Sequence, residues 1–496
     1  MNFPLLSAQE AARLIKDKEV LGIGGFSSVG TPKLVPMALA EYARELHSEG
    51  KEFKVGLITG GAAGSLIDGA LAQADAVFMR TPFQSDKDMR NSINSGKVAY
   101  FDLHLSHIGQ DVRYGFLPKI DVAIIEASDI TAEGEITLST SVGISPTLVQ
   151  QADRVIVELN RVHKGKLKGM HDIFLLDNPP YRKEIPIYRV NDRVGSYTLK
   201  VDPKKIVAVV ESEVKDRIAP FTPLNETTQR IGNNVAAFLL NEWRKGGIPK
   251  EFLPLQSGVG NVANAVLGAL GEDTHLPAFS MFTEVIQNSV IDLMMKGRIS
   301  FATGSSLTLS EDKLDMMYEN LDFFKERILL RPQEITNHPE MVRRLGIIAV
   351  NTALEADIFG NVNSTHVMGS KMMNGIGGSA DFSRNAFLSI FTTPSTAKDG
   401  LISSIVPQVS HVDSTEHDVR VLVTEQGVAD LRGKSPKERA ACIIENCAHP
   451  DYKELLWDYV KLSEGKGYHT PFSLKNALKM HLAFAETGDM RNTKYE

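Results

Sequence analysis

Cysteine is scarce in this chain: two residues in 496, Cys442 and Cys447. They cannot make a disulfide framework, so the fold must rest on its apolar cores, and a reducing cytoplasm is the expected compartment. Long apolar runs are also missing. No stretch approaches the ~18–20 uninterrupted apolar residues of a membrane span, so no membrane partner is expected. Positive charge is not in excess, with 54 Lys plus Arg against 61 Asp plus Glu and a net charge of −7. That balance argues against a nucleic-acid polyanion as the main partner. Met1 to Val20 lack an apolar core bounded by a basic region and a small-residue cleavage site, so secretion is not expected. What is present is ordinary for a globular enzyme. Hydrophobic residues make up 43% and charged residues 23%, which excludes wholesale disorder. At ~100–200 residues per domain the length predicts two or three domains.

Short β-rich apolar runs alternate with longer helical patterns, the signature of α/β layers with mostly parallel sheets. Ser7-x-x-Glu10 is a capping box that opens the first helix. Val20-Leu-Gly-Ile-Gly-Gly25 reads as a strand entering a glycine loop, and Pro32 is placed to start the next helix. Further strands are expected at 53–59, 74–79, 98–103, 122–125 and 154–159. Residues 161–193, basic and then Pro-rich, read as a surface hairpin or an excursion over the first domain. A helix over 226–245 then precedes a second series of strand–loop–helix units. Two strings look like an internal repeat. Ile125-Glu-Ala-Ser-Asp-Ile130 followed by Gly134-Glu-Ile-Thr137 matches Leu354-Glu-Ala-Asp-Ile358 followed by Gly360-Asn-Val-Asn363. The expectation is two related α/β domains, 1–222 and 223–496, with a helical C-terminal extension opened by the capping box Ser435-Pro-Lys-Glu438.

Gly258-Val259-Gly260-Asn261-Val262-Ala263 satisfies Gly-x-Gly-x-x-Gly/Ala between a strand and a helix, and Glu284 lies 24 residues beyond Gly260. On paper this is a dinucleotide fingerprint: glycines for backbone approach, a helix N-terminus for pyrophosphate, an acid for ribose. Gly375-Ile-Gly-Gly-Ser-Ala380 matches the pattern again, and a tight strand-to-helix turn explains either string equally well. Glu284 precedes Val285 to Met295, whose apolar spacing is helical. Its carboxylate is therefore expected at a helix start, favoured in its ionised form by the dipole. There it is either a nucleophile or a first-turn acid that complements the helix.

Four strings carry a resemblance to a known family: Gln256-Ser-Gly-Val-Gly-Asn-Val-Ala-Asn264, the segment around Glu284, Gly375-Ile-Gly-Gly-Ser-Ala-Asp-Phe382 and Ser410-His-Val-Asp-Ser-Thr-Glu-His-Asp-Val419. With Val423-Thr-Glu-Gln-Gly-Val-Ala-Asp-Leu-Arg-Gly433, the most specific of all, they resemble the acetyl-CoA hydrolase/transferase family. The resemblance extends to Gly24-Gly25-Phe26 near the start. It implies a CoA-transferase that works on acyl-CoA and short-chain carboxylates (acetate, succinate, propionate), with coenzyme A as substrate and no prosthetic group or metal. It also implies a ping-pong mechanism in which Glu284 becomes a glutamyl-CoA thioester, and a homodimeric assembly. The family's CoA-contacting glycine segment falls on Gly258 to Val262, and its second donor loop on Asn374 to Gly378. The N–H groups of Val262 and Gly378 are the implied oxyanion hole, with Asn374 contacting CoA. Lys398 matches a lysine near the thioester arm, Glu425 a glutamate close to the active site, and Asn337 an asparagine that orients the nucleophile.

Alternatives remain open at this stage: an acetyl-CoA hydrolase of the same family, an NAD(P)-dependent oxidoreductase using the Gly258 loop, and a non-catalytic acyl-CoA sensor. Asp102-Leu-His104-Leu-Ser-His107 and the segment from His411 to Asp418, which includes His417, lack standard zinc spacing and read as loop-orienting. The basic run Arg161 to Lys168 reads as a solvated loop. Cys442 and Cys447 read as core residues of a helix.

Overall fold

A computed structural model describes residues 3–218, 223–273, 275–464 and 469–496; the expected boundary at 222 lies outside them. The chain forms two compact units that interleave along the sequence. The first comprises Met1–Pro220, Ser280–Leu345 and Asn374–Asp381; the second comprises Phe221–Phe279, Gly346–Met373 and Phe382–Glu496. The family's expected second-half residues Glu284, Asn337, Asn374 and Gly378 all belong to the first unit.

Nine strands build the main sheet of the first unit: β1 (Val20–Ile23), β2 (Val55–Thr59), β3 (Val77–Thr81), β4 (Ala99–Tyr100), β5 (Val122–Ile130), β6 (Glu135–Leu138), β7 (Arg154–Asn160), β8 (Leu199–Lys200) and β9 (Ile206–Ser212). Seven run parallel in the order β4-β3-β2-β1-β5-β7-β9, while β6 pairs antiparallel with β5 and β8 with β6. Leu21, Ile23, Leu57, Val122 and Ile124 are fully buried, as the continuous apolar runs of strands covered on both faces require. The order reverses at β1, which lies between β2 and β5. Open α/β sheets bind ligands in the crevice beyond the carboxyl ends at such a point.

The helix expected from Pro32 begins at Leu34 and runs to Ser48, with no side-chain cap from its N-cap residue Lys33. The cap comes from β7 instead. The buried carboxylate of Glu158 accepts from the N–H groups of Lys33 (2.8 Å), Leu34 (2.9 Å) and Val35 (3.2 Å). A negative charge at the positive helix end both satisfies orphan donors and complements the dipole. The Lys33 ammonium lies 2.5 Å from Glu126 and 2.9 Å from Asp216, both buried, so it pairs with two of the three side chains of the Glu126, His163 and Asp216 group.

The 161–193 segment is no surface hairpin. Leu167, Met170, Ile185 and Ile187 are fully buried. Met170 and Asp172 form reciprocal 2.8 Å backbone bonds with Leu330, and the buried Arg331 guanidinium pairs with Asp172. Arg161 pairs with Glu211, and Lys166 stacks on the Tyr318 ring, so the basic run has local partners.

In the second unit, strand Leu255–Ser257 pairs parallel with Ile348–Thr352, which pairs parallel with Leu388–Thr392 and that with Val421–Val423. This run has the connectivity of β1-β5-β7-β9. The repeated strings take the same form in both units: a strand, a turn through a positive-φ glycine (Gly134 or Gly360), and an antiparallel return. Helices Pro436–Cys447, Pro450–Glu464 and Lys479–Thr487 follow, the first with the expected capping box. Cys447 is buried and Cys442 partly so, both as free thiols. The fold is thus mixed α/β with mostly parallel sheets and a helical C-terminal region. Among the described residues no helix is long and apolar enough to cross a membrane.

Candidate active site

Strand Phe279–Phe282 delivers Glu284 to a bend, and a second strand, Val285–Gln287, leaves it. The backbone there is pinned. Thr283 N–H donates to Thr303 O (2.9 Å), and the Glu284 carbonyl accepts from Ser305 N–H (2.7 Å) and Ser306 N–H (3.1 Å). Strand Val285–Gln287 then pairs in parallel with Ser306–Thr308. Glu284 therefore does not open a helix; the helix starts at Asn288. The apolar spacing of Val285 to Met295 covers a strand followed by a helix, and the dipole argument for an ionised carboxylate fails.

The electrostatics run the other way. Enclosure by protein raises the Glu284 pKa to about 7, the neighbouring charge of Asp381 pushes in the same direction, and the Asn337 amide opposes both. Asn337 ends the short helix Gln333–Thr336. Its Oδ1 accepts from Thr336 Oγ1 (2.8 Å), which leaves Nδ2 to donate to Glu284 Oε1 (2.5 Å) and toward Asp381 Oδ2 (3.3 Å). Asp381 is held in turn by Ser106, through N–H (3.0 Å) and Oγ (2.6 Å), and burial raises its pKa to about 6. One amide thus serves two carboxylates, and ionising both at once is costly.

Gly378 closes this group. A Cβ at Gly378 would lie 1.9 Å from Glu284 Oε1 and 2.3 Å from Asn337 Nδ2, so any larger residue must displace both side chains. Its loop is braced by β4 and the segment that follows it. Tyr100 Oη donates to Asn374 O (2.5 Å), Ile376 N–H to Asp102 Oδ2 (2.8 Å), and Leu105 N–H to Gly377 O (3.4 Å). The Asn374 side chain folds back to accept from Gly375 N–H (2.8 Å). The Asp102–His107 cluster, read as loop-orienting, makes these contacts. Asp381 and Ser106 were not singled out by sequence reasoning. Asp381 does stand inside the Gly375–Phe382 string, and Ser106 between two noted histidines.

The remaining expected residues lie in the second unit. Gly258 follows strand Leu255–Ser257, and Gly260 (φ 113°) is the N-cap of helix Asn261–Glu272. Asn261 and Val262 occupy the first turn, whose N–H groups have no intrahelical acceptor, and Val259 is exposed at the loop tip. Lys398 sits at the exposed tip of a hairpin (Thr396–Ala397 with Ile402–Ser403), its ammonium 5.0 Å over the Phe484 ring. The Glu425 carboxylate accepts from Ser395 N–H (2.9 Å), from Ser395 Oγ and from Gln426 Nε2 (2.9 Å), donors that hold its pKa below the usual glutamate value despite burial. It therefore fixes the base of the Lys398 hairpin.

Chemically, the first-unit group offers a carboxylate of raised basicity, aimed by an amide and pressed against a glycine backbone. That is the equipment of a nucleophile.

Family models for the acetyl-CoA hydrolase/transferase N-terminal and C-terminal domains match residues 3–211 and 314–460. A succinyl-CoA:acetate CoA-transferase of Clostridium kluyveri is 50% identical over 98% of this chain and 90% of its own length. A propanoyl-CoA:succinate CoA transferase of Escherichia coli is 48% identical over 98% of both chains. An acetyl-CoA hydrolase of Saccharomyces cerevisiae is 43% identical over 99% of this chain and 95% of its own. Two solved structures share the fold at lower identity. RipA from Yersinia pestis has a TM-score of 0.70 at 22% identity, covering 93% of this chain and 97% of its own. A 4-hydroxybutyrate CoA-transferase from Porphyromonas gingivalis has a TM-score of 0.62 at 21%, covering 92% and 97%. With relatives this similar along nearly its whole length, the chain belongs to the acetyl-CoA hydrolase/transferase family of enzymes.

Proposed function

We propose that the protein is a CoA-transferase that moves CoA between short-chain carboxylic acids through a glutamyl-CoA thioester on Glu284. The observation that carries the reading is the Glu284 carboxylate itself, raised to about 7, hydrogen-bonded to Asn337 and in contact with Gly378. A carboxylate oxygen of Glu284 adds to the thioester carbonyl, the C–S bond breaks, and CoA leaves as thiolate from a mixed anhydride. The thiolate then adds to the glutamyl carbonyl, and the acyl group departs as a free carboxylate. A second carboxylate runs these steps in reverse. No net proton is transferred, which suits a site built from one amide and backbone donors.

Each tetrahedral state carries an oxyanion, and losing one fixed donor typically costs ~3–4 kcal/mol. The Gly378 N–H is our candidate donor beside Glu284, and Asp381 with Ser106 would hold Asn337 in place. Val262 N–H, in the second unit, is the other oxyanion donor that the resemblance implies. There the Gly258–Val262 loop and Lys398 would take coenzyme A, and Glu425 would position Lys398; Asn374, the further CoA contact implied by the resemblance, belongs to the first unit. Succinate, acetate and propionate are the candidate acids, since relatives at 48–50% identity are named for them. A hydrolase reading keeps the same intermediate and lets water resolve it, in line with the hydrolase relative.

Mass measurement separates the outcomes. Incubation with acetyl-CoA or succinyl-CoA should leave a covalent CoA adduct on Glu284 that disappears when acceptor acid is added and yields the new acyl-CoA. Decay at the same rate without acceptor would favour the hydrolase. An adduct that persists in Glu284→Ala would refute the assignment.

A further inference from the structure

The second unit holds a cavity of about 520 Å³ that the proposed chemistry does not use. Residues 416–420 lead into strand Val421–Val423, and residues 431–435 leave strand Val428–Asp430. These strands are antiparallel with Val421 opposite Asp430, so both connections meet at one edge of the sheet. Lys398 and Glu425 follow the carboxyl ends of Leu388–Thr392 and Val421–Val423, which are parallel, and so lie at the other edge.

The lining is strongly cationic for a chain of net charge −7. Arg420, Arg432, Lys434 and Arg439 face a single carboxylate, Glu416. Their roles differ. Arg439 is structural: its guanidinium donates to the carbonyls of Phe359 (2.6 Å), Glu416 (2.8 Å) and Val419 (3.0 Å), which fixes the loops that form the walls. Arg432 is neutralised by Asp430 (2.7 Å) and Glu242 (2.9 Å). Arg420 and Lys434 are exposed, and among the described residues neither closes an ion pair. Lys434 acts on Asp430, Glu438 and Cys442 only at longer range.

A concavity with a guanidinium fork and an ammonium left without ion pairs matches a compact anion of at least two charges. Arginine forks pair phosphate oxygens bidentately, and the volume falls within the ~300–1,000 Å³ of small-ligand sites. We infer that the pocket bounded by Arg420 and Lys434 is a second anion site, for the diphosphate group of a phosphorylated compound. Such a group is carried both by free nucleotides and by coenzyme A itself.

The test uses the full-length chain at fixed ionic strength, with pyrophosphate as the calorimetric probe. One pyrophosphate should bind per chain, and Arg420→Ala/Lys434→Ala should weaken it roughly 100-fold or more, as expected for loss of two charged hydrogen bonds. Transferase turnover without added pyrophosphate should be unchanged in that variant, which also checks its fold; Arg420→Gln/Lys434→Gln should behave alike. Displacement of pyrophosphate by ADP identifies free nucleotide as the source, and displacement by CoA but not ADP identifies the coenzyme. No binding to the wild type, binding insensitive to both variants, or displacement by neither compound would overturn the inference.

Discussion

Replacing Glu284 with Gln should make the protein more stable at neutral and alkaline pH while abolishing glutamyl-CoA formation. The sign follows from proton linkage. In the unfolded chain the carboxyl titrates near 4.5, and in the folded chain at about 7. Between those values the folded state holds more protons than the unfolded state, so stability falls as pH rises through the window and the loss is complete above 7. A displacement from 4.5 to about 7 corresponds to about 3 kcal/mol. The side chain keeps partial solvent access and shares Asn337 with Asp381, so ~1–2 kcal/mol is the expected net penalty. Glutamine is isosteric, and its amide oxygen can still accept from Asn337 Nδ2.

Glu284→Gln should therefore match the wild type near pH 4.5 and unfold later than it above pH 7. For a unit of this size the gap is roughly 2–4 °C in Tm. Thermal unfolding of both proteins at half-unit steps from pH 4.5 to 8.5 measures it. A variant equally or less stable than the wild type at pH 8 would refute the enclosed, raised carboxylate. So would a gap that shrinks as pH rises.

Three further outcomes are expected. Asp381→Asn removes the negative charge that helps to raise Glu284, so the acid limb of CoA-adduct formation should move to lower pH, as rapid-quench mass measurements across pH 5–8 would register; an unmoved limb would argue against the coupling. Gly378→Ala places a methyl where only 1.9 Å separates it from Glu284 Oε1; turnover should fall ~100-fold or more with the far-ultraviolet circular dichroism unchanged, since a misplacement of about an ångström is worth that much. Glu425→Gln loosens the Ser395 anchor of the Lys398 hairpin, so steady-state kinetics should show KM for acyl-CoA rising more than kcat falls, with Glu425→Asp recovering part of the loss.

What could be read from the chain follows the range of the interactions involved. Capping boxes at Ser7 and Ser435 act over three residues, and both form as written. The glycine turns of the repeated strings need only a local positive φ, and they too are legible. Helix Leu34–Ser48 defeats the same approach, because its cap is Glu158 on another strand, 125 residues from Lys33. The bend at Glu284 was hidden for a related reason: Val285 to Met295 has the apolar period of a helix, but Ser306–Thr308 recruits its first three residues into a parallel pair. Local rules thus assign Glu284 a helix dipole and an easily ionised carboxylate, leave nucleophile and first-turn acid both open, and only the resemblance decides between them.

The physical basis for that role lies in long-range contacts. Asn337 is 53 residues from Glu284, and Ser106 reaches Asp381 across 275. Asp102, which with His104 and His107 reads as loop-orienting, does so over a long range: it accepts from Ile376 N–H across 274 residues. A pKa near 7 requires that water be removed and a second carboxylate be brought close, and neither condition is a property of the residues flanking Glu284. The same partial enclosure that thins the water around the carboxylate makes its charged form expensive and therefore basic. In this site the energetic cost of burying Glu284 and the reactivity proposed for it have one cause, so a substitution that relieves the first must also diminish the second.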